Sequence, residues 1–576
     1  MIPNADVLII GAGMSGLGLA IQMLRKYNLR TFEIYEKTHD VGGTWLVNTY
    51  PGCGCDVASH FYSYSFALNP DWSQKFSLRS EIQAYFRNLA EQYGLIPHIR
   101  FHHTVDTARW NEAEQLWEVA VKEHSTNETS LRRARVVVSA VGSLSIPKSC
   151  EIPGADMFKG PLFHSAQWEH SFEWKNKQVV VLGNGCSATQ FVPAMSETTG
   201  QLTQFARQPH YLAERPNPSY GPAFKAVMRY VPLAMRLYRF MLYADMEKDF
   251  AGFDIQSGAR LREDLRKENE DYVKKMAPEK YWDALMPKHE IGCKRKVMDT
   301  DYLACLYHDN VELIHDDPAE NIIEDAVLTR SGRVIKADAI ILATGFEVFR
   351  MLHPMEIIGA DGITLNEYWN SKHQGAAQAY LGTSVPGFKN FFTMMGPNTI
   401  TGHLSVIYTV ECQINFVLRL IEPILKTAHS SDPSSAPITS VDVKAPSAVR
   451  DSQWVQAKLK NLVWSSGCTS WALDPQTGLN IAMYPQYQFY FWLRTVFIPS
   501  GDFDYEYRDG NGLRKKQIVV GGWKALRQTI RTAALLTLVF GGLAGVERAG
   551  GVTAAREVLV KAARRVIDSA RQMVRT

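Results

Sequence analysis

Twice in the chain, a short apolar run of strand type is followed by a glycine-rich turn and then by apolar residues at helical spacing. In such strand–turn–helix units the glycines permit a tight turn, close approach of a pyrophosphate and close packing of helix on strand. The helix N-terminus attracts phosphate. The first unit is Val7–Ile10, Gly11-Ala-Gly13-Met-Ser15-Gly16 and Leu17–Leu24, and the second is Gln178–Leu182 followed by Gly183-Asn-Gly185-Cys-Ser187-Ala188. The pattern predicts an α/β fold with two dinucleotide-binding, Rossmann-like domains.

The residue that ends the second strand differs between the two units. Thr31–Tyr35 ends in Glu36, whose carboxylate can accept hydrogen bonds from a ribose 2′-hydroxyl and would repel a 2′-phosphate. Leu202–Ala206 ends in Arg207, whose guanidinium can bind a phosphate bidentately. A surface arginine in a salt bridge is the alternative for Arg207. Taken together, the two residues favour FAD in the first unit and NADPH in the second.

Further periodic segments complete the predicted organisation. Apolar runs at Trp117–Lys122, Arg135–Ala140 and Val334–Phe346 predict strands, and Asn217–Pro287 and Thr399–Ile421 have helical patterns. We expect a first part of the FAD-binding domain (1–145), a first part of the NADP-binding domain (146–214), a helical insertion (215–290), a second NADP part (291–335), a second FAD part (336–510) and a basic amphipathic tail (511–576).

Charge is concentrated at the C-terminus. The net charge is +3, but Arg514–Thr576 holds 13 Lys/Arg against 3 Asp/Glu, so this segment carries +10 and the remainder −7. Its apolar stretch Ala533–Val546 is shorter than the roughly 20 residues needed to span a bilayer. Thr553–Val574 has the pattern of a basic amphipathic helix, which would lie on an anionic membrane or dock on the protein. Both interpretations stay open.

The remaining composition excludes several classes of protein. With 46% hydrophobic and 21% charged residues, the 576-residue chain is globular and large enough for two or three domains. Its eight cysteines contain no C-x-x-C, which excludes a zinc ribbon and a thioredoxin-type pair. The N-terminus lacks the basic start of a signal peptide. We therefore expect reduced thiols, a cytoplasmic location with possible peripheral membrane association through the tail, no metal and no nucleic-acid partner.

Three longer patterns carry a family resemblance. The chain contains F-x-G-x-x-x-H-x-x-x-W at Phe158–Trp168, G-G-x-W-x-x-x-x-Y-P-G-x-x-x-D at Gly42–Asp56 and G-x-K-R-x-x-x-D-x-x-Y at Gly292–Tyr302. Together they resemble the Baeyer–Villiger monooxygenases, although Glu169 stands where that family usually has Pro or Asp. In the related flavin-containing monooxygenases the position of Trp168 is usually Tyr. The resemblance covers roughly Val7 to Tyr490.

This resemblance implies an enzyme that uses FAD, NADPH and O2 to convert a ketone into an ester or lactone. On it, Arg295 stabilises a C4a-peroxyflavin, Asp56 tunes Arg295, Lys294 holds the 2′-phosphate and Trp471 folds over the nicotinamide. His403 is a candidate active-site residue that is as readily structural. With the glycine turns, the resemblance places cofactor contacts at Gly11, Gly13, Ser15, Gly16, Glu36, Thr44, Trp45, Leu46, Val47, Gly54, Cys55, Asp56, Tyr62, Val105, Gly183, Asn184, Gly185, Ser187, Ala188, Thr189, Ala206, Arg207, Lys294, Arg295, Val406 and Trp471.

Three alternatives are weighed against this interpretation. A flavin-containing monooxygenase that oxygenates nitrogen or sulfur is disfavoured by Trp168 and by the complete Gly42–Asp56 pattern. A two-dinucleotide reductase would need a redox-active cysteine pair, which the spacing of Cys53 and Cys55 does not provide. A degenerate nucleotide-binding protein with a membrane-docking tail is disfavoured by the intact glycines and by the adjacent Lys294 and Arg295.

Overall fold

The structure is a computed structural model that describes residues 3–348, 350, 352–430, 436–468, 471–474, 476–509, 512–522 and 530. The predicted apolar stretch Ala533–Val546 and the predicted amphipathic helix Thr553–Val574 both lie outside the described residues. No helix among the described residues is long and apolar enough to cross a membrane.

Helices and strands alternate around the two glycine turns, and runs of strands or of helices follow one another elsewhere. The α-helices are α1 (Met14–Tyr27), α2 (Thr44–Val47), α3 (Arg79–Gln92), α4 (Ala188–Ser196), α5 (Pro222–Tyr230), α6 (Ala234–Glu247), α7 (Ala259–Met276), α8 (Trp282–Leu285), α9 (Tyr302–Cys305), α10 (Leu365–His373), α11 (Val406–Ala428), α12 (Ala445–Leu459) and α13 (Gln488–Val496). The strands are β1 (Ala5–Ile10), β2 (Phe32–Tyr35), β3 (Ile99–Arg100), β4 (His103–Asn111), β5 (Leu116–Glu123), β6 (Thr129–Ser139), β7 (Leu162–His164), β8 (Gln178–Leu182), β9 (Gln201–Phe205), β10 (Leu212–Ala213), β11 (Val297–Met298), β12 (Val311–Ile314), β13 (Ala319–Ile323), β14 (Ala326–Thr329), β15 (Val334–Lys336), β16 (Ala339–Leu342), β17 (Glu356–Ile358), β18 (Phe391–Thr393), β19 (Ile438–Val443), β20 (Phe503–Asp509) and β21 (Gly512–Lys516).

The first large sheet is built around β1, all six residues of which are buried. Its strand order is β17-β4-β5-β6-β1-β2-β3, with β18 also pairing with β6. The pairs β1–β2, β1–β6 and β6–β18 are parallel, whereas β4–β5 and β5–β6 are antiparallel. Strands covered on both faces read as continuous apolar runs, which is why β1 is recognisable from sequence.

The second large sheet has the order β12-β9-β8-β16-β7, and every pair in it is parallel. Its strand β8 has the bounds that the sequence predicts, and β9 ends one residue earlier than predicted. One mixed and one parallel sheet, each with a glycine turn after a central strand that has parallel neighbours, give the predicted α/β, Rossmann-like architecture. In such folds ligands bind beyond the carboxyl ends of the strands, which places both glycine turns at binding edges.

Helix α11 corrects one boundary predicted from sequence. We expect this helix to begin at Thr399, but it begins at Val406, where the Ser405 hydroxyl accepts a hydrogen bond from the Ile407 N–H. Upstream, Thr401 and Leu404 hydrogen-bond each other and form a turn instead. The apolar pattern is continuous across this turn, so the pattern alone does not locate the first residue of the helix. Polar capping residues decide it.

The segment predicted as a helical insertion forms α5, α6, α7 and α8. Near the other end of the chain, β21 pairs antiparallel with β20, and β20 pairs with β19. The first described residues of the predicted tail therefore belong to a small sheet.

Candidate active site

The first glycine turn connects β1 to α1. Gly11 has φ +106°, a conformation that favours glycine, and its N–H donates to the Tyr35 carbonyl oxygen at 2.8 Å. A Cβ on Gly16 would lie 2.0 Å from the Gly11 carbonyl oxygen, so only glycine lets the helix start this close to the strand. The first turn of α1 has no side-chain cap, which leaves its N–H groups available to a phosphate.

Glu36 lies at the carboxyl end of β2 and is buried. One carboxylate oxygen accepts from the Ala12 N–H at 2.7 Å, and the other accepts from the Thr38 N–H and hydroxyl at 2.9 and 2.7 Å. None of the ion pairs between described residues includes Glu36, so its negative charge is met by hydrogen-bond donors alone. An acceptor held in this way beside the glycine turn fits the ribose hydroxyls of FAD.

The Gly42–Asp56 loop packs against this turn. The Gly42 N–H donates to the Ala12 carbonyl oxygen at 3.1 Å, and Gly43 faces Gly13 so closely that a Cβ on Gly43 would lie 3.0 Å from the Gly13 Cα. Trp45 donates from its indole N–H to the Tyr62 hydroxyl at 3.1 Å. Of the predicted contacts in α2, Trp45 is buried, Leu46 is half-buried and Thr44 and Val47 are exposed.

The second glycine turn has the same construction. Gly183 has φ +113°, and a Cβ there would lie 2.5 Å from the Ala343 carbonyl oxygen. Asn184 donates from its amide to the Gln208 carbonyl oxygen at 2.9 Å, which fixes the turn to the chain after β9. Helix α4 follows Ser187 without a side-chain cap, so its first N–H groups are also available. Of the other predicted contacts, Ala188, Thr189 and Ala206 are buried.

Positive charge without a carboxylate partner gathers beyond this turn. Arg207 is exposed, and the Lys294 ammonium donates to the Gln208 side-chain oxygen. Burial and then the charge of Arg207 lower the pKa of Lys294. Burial, followed by the charge of Lys294, also lowers the pKa values of His210 and His289 to about 4. No ion pair between described residues includes Arg207 or Lys294, and such a cluster fits a 2′-phosphate.

Asp56 and Arg295 form a bidentate ion pair between segments 239 residues apart. The guanidinium Nε donates to Oδ2 at 3.0 Å and Nη2 donates to Oδ1 at 2.7 Å. The carboxylate raises the pKa of Arg295 above its ordinary value, so the guanidinium stays charged. The Arg295 side chain is 37% exposed, and no described residue accepts a hydrogen bond from its Nη1. The Nη1 amino group, held in a fixed orientation, is thus left to donate to a ligand.

Three contacts that the sequence analysis missed lock the Asp56 loop to the second domain. Gln190, in α4, donates to the Gly54 carbonyl oxygen at 3.0 Å and accepts from the Tyr50 hydroxyl at 3.0 Å. Arg215 donates to the Cys55 carbonyl oxygen at 2.9 Å. Tyr50 belongs to the Gly42–Asp56 pattern, and Gln190 lies two residues after the second glycine pattern, so both positions were inside or beside a recognised motif. For Arg215 the sequence holds no signal.

The remaining predicted residues occupy separate positions around the site. Val105 is buried in β4, two residues after His103, whose N–H donates to the Glu36 carbonyl oxygen at 2.9 Å. Val406 is the first residue of α11. Trp471 is 40% exposed and follows residues 469–470, which lie outside the described part of the chain.

His403 has a structural partner. Its side chain is only 2% exposed, its Nε2 lies 3.0 Å from Glu247 Oε2 at the end of α6, and Glu247 also accepts from the Phe489 N–H at 3.0 Å. The Phe250 and Phe253 rings pack on the imidazole with centroids 5.5 and 5.6 Å away. These contacts join the helical insertion to the segment before α11, which accounts for the histidine without a catalytic role.

The prediction of reduced thiols is wrong for one pair. Cys293 and Cys468 form a disulfide with a Cα–Cα separation of 6.6 Å, while the other six cysteines are free. The two residues are 175 positions apart, so the spacing of cysteines gives no indication of the pair. The bond attaches the Lys294–Arg295 segment to the chain just before Trp471.

We expect thiol titration of the denatured protein to count six reactive cysteines without reductant and eight after reduction, because one pair is bonded. A non-reducing digest should contain one cross-linked peptide with Cys293 and Cys468. A count of eight without reductant would show that the pair is reduced.

Comparisons with known proteins identify the family of the chain. Residues 4–355 match the flavin-binding monooxygenase-like family. The chain is 35% identical over 485 residues to a Baeyer–Villiger monooxygenase of Streptomyces coelicolor, covering 84% of this chain and 89% of the relative. A Baeyer–Villiger monooxygenase of Pseudomonas aeruginosa is 35% identical over 491 residues, with 85% and 89% covered.

Solved structures give the same fold. A steroid monooxygenase bound to NADP superposes with a TM-score of 0.72 at 26% identity, covering 87% of this chain and 99% of that chain. OTEMO in complex with FAD and NADP superposes with a TM-score of 0.76 at 23% identity, covering 88% and 100%. The predicted fold class, family, enzyme class and cofactor pair are confirmed. The chain belongs to the flavin-binding monooxygenase-like family and, within it, to the FAD-dependent Baeyer–Villiger monooxygenases.

Proposed function

We propose that this enzyme uses NADPH and O2 to insert one oxygen atom beside the carbonyl group of a ketone, giving an ester or a lactone. The observation that carries the proposal is the Asp56–Arg295 pair, which holds a charged guanidinium with a free Nη1 amino group between the two glycine turns. When bound, the two cofactors supply the electrons that activate O2. The residues of this chain supply binding, orientation and charge.

FAD is proposed to lie along the first glycine turn, with its pyrophosphate at the start of α1 and a ribose at Glu36. NADPH is proposed to lie along the second turn, with its 2′-phosphate between Arg207 and Lys294. The donor sets support this order, because Glu36 offers only acceptors and the Arg207–Lys294 cluster offers only donors. If the two ligands were exchanged, the negative 2′-phosphate of NADPH would lie beside the negative Glu36 carboxylate.

Arg295 is proposed to stabilise the negative charge that develops on oxygen during the insertion. A guanidinium does not deprotonate at working pH, and the Asp56 carboxylate raises its pKa further. Asp56 also fixes the plane of the guanidinium through two hydrogen bonds, so Nη1 is oriented before the substrate arrives. Trp471 is proposed to cover the nicotinamide, which would limit access of water to the site.

The full-length enzyme, supplied with FAD, NADPH, isotopically heavy O2 and a panel of cyclic and linear ketones, is expected to give esters or lactones that contain one heavy oxygen atom. Mass spectrometry of the products checks this. Tertiary amines and thioethers in the same panel test oxygenation at nitrogen or sulfur. Heavy oxygen only in amine or thioether products, or NADPH consumption that yields only hydrogen peroxide, would contradict the ketone assignment.

We also propose a peripheral contact between residues 511–576 and an anionic membrane. It rests on the 13 Lys/Arg against 3 Asp/Glu in Arg514–Thr576 and on the amphipathic pattern of Thr553–Val574. Basic side chains near an anionic surface each contribute about 1 kcal/mol of attraction.

A further inference from the structure

The helical insertion exposes apolar side chains at one place. Helices α5 and α6, joined by Val231-Pro232-Leu233, form a helical hairpin (residues 222–247). Five large apolar side chains within 15 residues of it are exposed, namely Val227, Tyr230, Val231, Phe240 and Met241, with exposed fractions from 46% to 74%. An exposed apolar surface of this kind is typical of a docking site.

The hairpin is amphipathic because its inner face is already occupied. The Phe224 and Tyr238 rings lie 5.5 Å apart, and both pack on the His60 ring at 5.7 and 5.2 Å. Val227 and Tyr230 on α5 and Val231 directly after it have the spacing of one helix face, and Phe240 and Met241 are exposed on α6. The exposed residues are therefore outside a packed layer and are not part of an unfilled core.

Charge identifies what the outer face would bind. Within residues 222–247 the hairpin holds four basic residues, Lys225, Arg229, Arg236 and Arg239, against two acids, Asp245 and Glu247. Asp245 pairs with Lys248, directly after the hairpin, and Glu247 binds His403. One acid from another element, Asp71, pairs with Arg229, and both side chains are about half exposed. The hairpin surface consequently keeps a positive charge beside its apolar residues.

This charge excludes two occupants and favours a third. A second copy of the hairpin, or the basic segment Arg514–Thr576, would bring positive charge against positive charge. An anionic lipid surface would bind both the basic and the apolar side chains of the hairpin. Lysine and arginine contact the headgroups, while Tyr230 and the other apolar side chains enter the interface. Tyrosine is also favoured at the level of the headgroups.

We propose that the outer face of the α5–α6 hairpin docks on the surface of an anionic membrane. The contact is peripheral, because α5 has 9 residues and α6 has 14, fewer than the roughly 20 needed to span a bilayer. It is separate from the proposed contact of residues 511–576 and does not rest on it. At the end of α6, Glu247 binds His403, so the docked hairpin leads directly to the segment before α11.

Hydrogen exchange of the full-length enzyme locates the contact. With phosphatidylglycerol–phosphatidylcholine vesicles, we expect slower exchange in peptides that cover residues 222–244, and no change with vesicles of phosphatidylcholine alone. Peptides from residues 531–576 report the tail separately in the same experiment. Unchanged exchange at 222–244 with the anionic vesicles would overturn the proposal, whatever happens in the tail.

A double variant, Phe240→Glu with Met241→Glu, tests the apolar part of the contact. Vesicle sedimentation is expected to show affinity weakened roughly tenfold or more, because two interfacial side chains are lost and two negative charges are added. The matched control, Met157→Glu with Val334→Glu, makes the same charge change at side chains 54% and 53% exposed elsewhere. Equal weakening in both double variants would overturn the proposal. NADPH oxidation at the wild-type rate confirms that a double variant is folded. If a double variant does not fold, the hydrogen-exchange experiment on the wild-type enzyme decides the proposal.

Discussion

Replacement of Arg295 by alanine is expected to lower the rate of ketone oxygenation by about a hundred- to a thousand-fold, the usual cost of removing one donor from a site that stabilises developing negative charge. The loss should be in kcat, because the proposed interaction strengthens only as charge forms on oxygen. NADPH consumption should become uncoupled and yield hydrogen peroxide. Asp56→Ala should have a smaller effect, since Arg295 keeps its charge and loses only its orientation. Product formation and NADPH oxidation, measured together, check these expectations.

Lys296→Ala is the matched control for this variant. Lys296 lies one residue after Arg295, but its ammonium faces Asp249 at 3.6 Å and both side chains are more than 40% exposed. An exposed pair of this kind contributes little to stability, so the control should retain wild-type oxygenation and FAD content. Near-normal ester formation by Arg295→Ala with full FAD content would show that the guanidinium is not the stabilising group.

The parallel cores could be predicted because their local signals are strong. Strand β1 is apolar from Val7 to Ile10 since both faces of its sheet are covered, and Gly11 and Gly183 follow their strands where a positive φ is required. The difference between Glu36 in the first unit and Arg207 in the second could also be interpreted locally, because each residue lies one or two positions after the end of its strand. These features depend on neighbours in sequence and are visible without a fold.

The Asp56–Arg295 pair is different, because its two residues meet only through the fold. A charge that is removed from water needs a partner of opposite charge. This rule does not identify which residue is the partner, and here the partner is 239 positions away in the sequence. The resemblance to a family supplied that assignment. Where no family pattern exists, as for Arg215 and for the Cys293–Cys468 disulfide, sequence reasoning found nothing.

The start of α11 and the role of His403 were undetermined for a related reason. The apolar pattern runs through the turn at Thr401–Leu404, so only the hydrogen bond from the Ile407 N–H to the Ser405 hydroxyl defines where the helix begins. His403 is explained by Glu247, which comes from an insertion 156 residues away. The spacing of apolar residues along the chain indicates neither the Ser405 cap nor the contact between His403 and Glu247.

The second large effect is expected in the choice between nicotinamide cofactors. Arg207→Ala should raise KM for NADPH by about ten- to a hundred-fold, because hydrogen bonds to a charged group contribute about 1.5–3 kcal/mol. KM for NADH should change little, since NADH lacks the 2′-phosphate that the guanidinium is proposed to bind. Lys294→Ala should act in the same direction, because the ammonium lies in the same cationic cluster. Steady-state kinetics with both cofactors measures the ratio.

A matched control separates this phosphate contact from a general loss of positive charge. Arg330→Ala removes an exposed arginine from the same predicted domain, where its guanidinium lies 4.0 Å from Glu320, and should leave both KM values unchanged. The double variant Arg207→Ala with Lys294→Ala should lose less than the product of the single effects if both cations hold one phosphate, because contacts to a shared group are not additive. Equal increases in KM for NADPH and NADH would place Arg207 outside the phosphate site. The cluster would then be a surface charge, and the assignment of NADPH to the second turn would rest on its glycines alone.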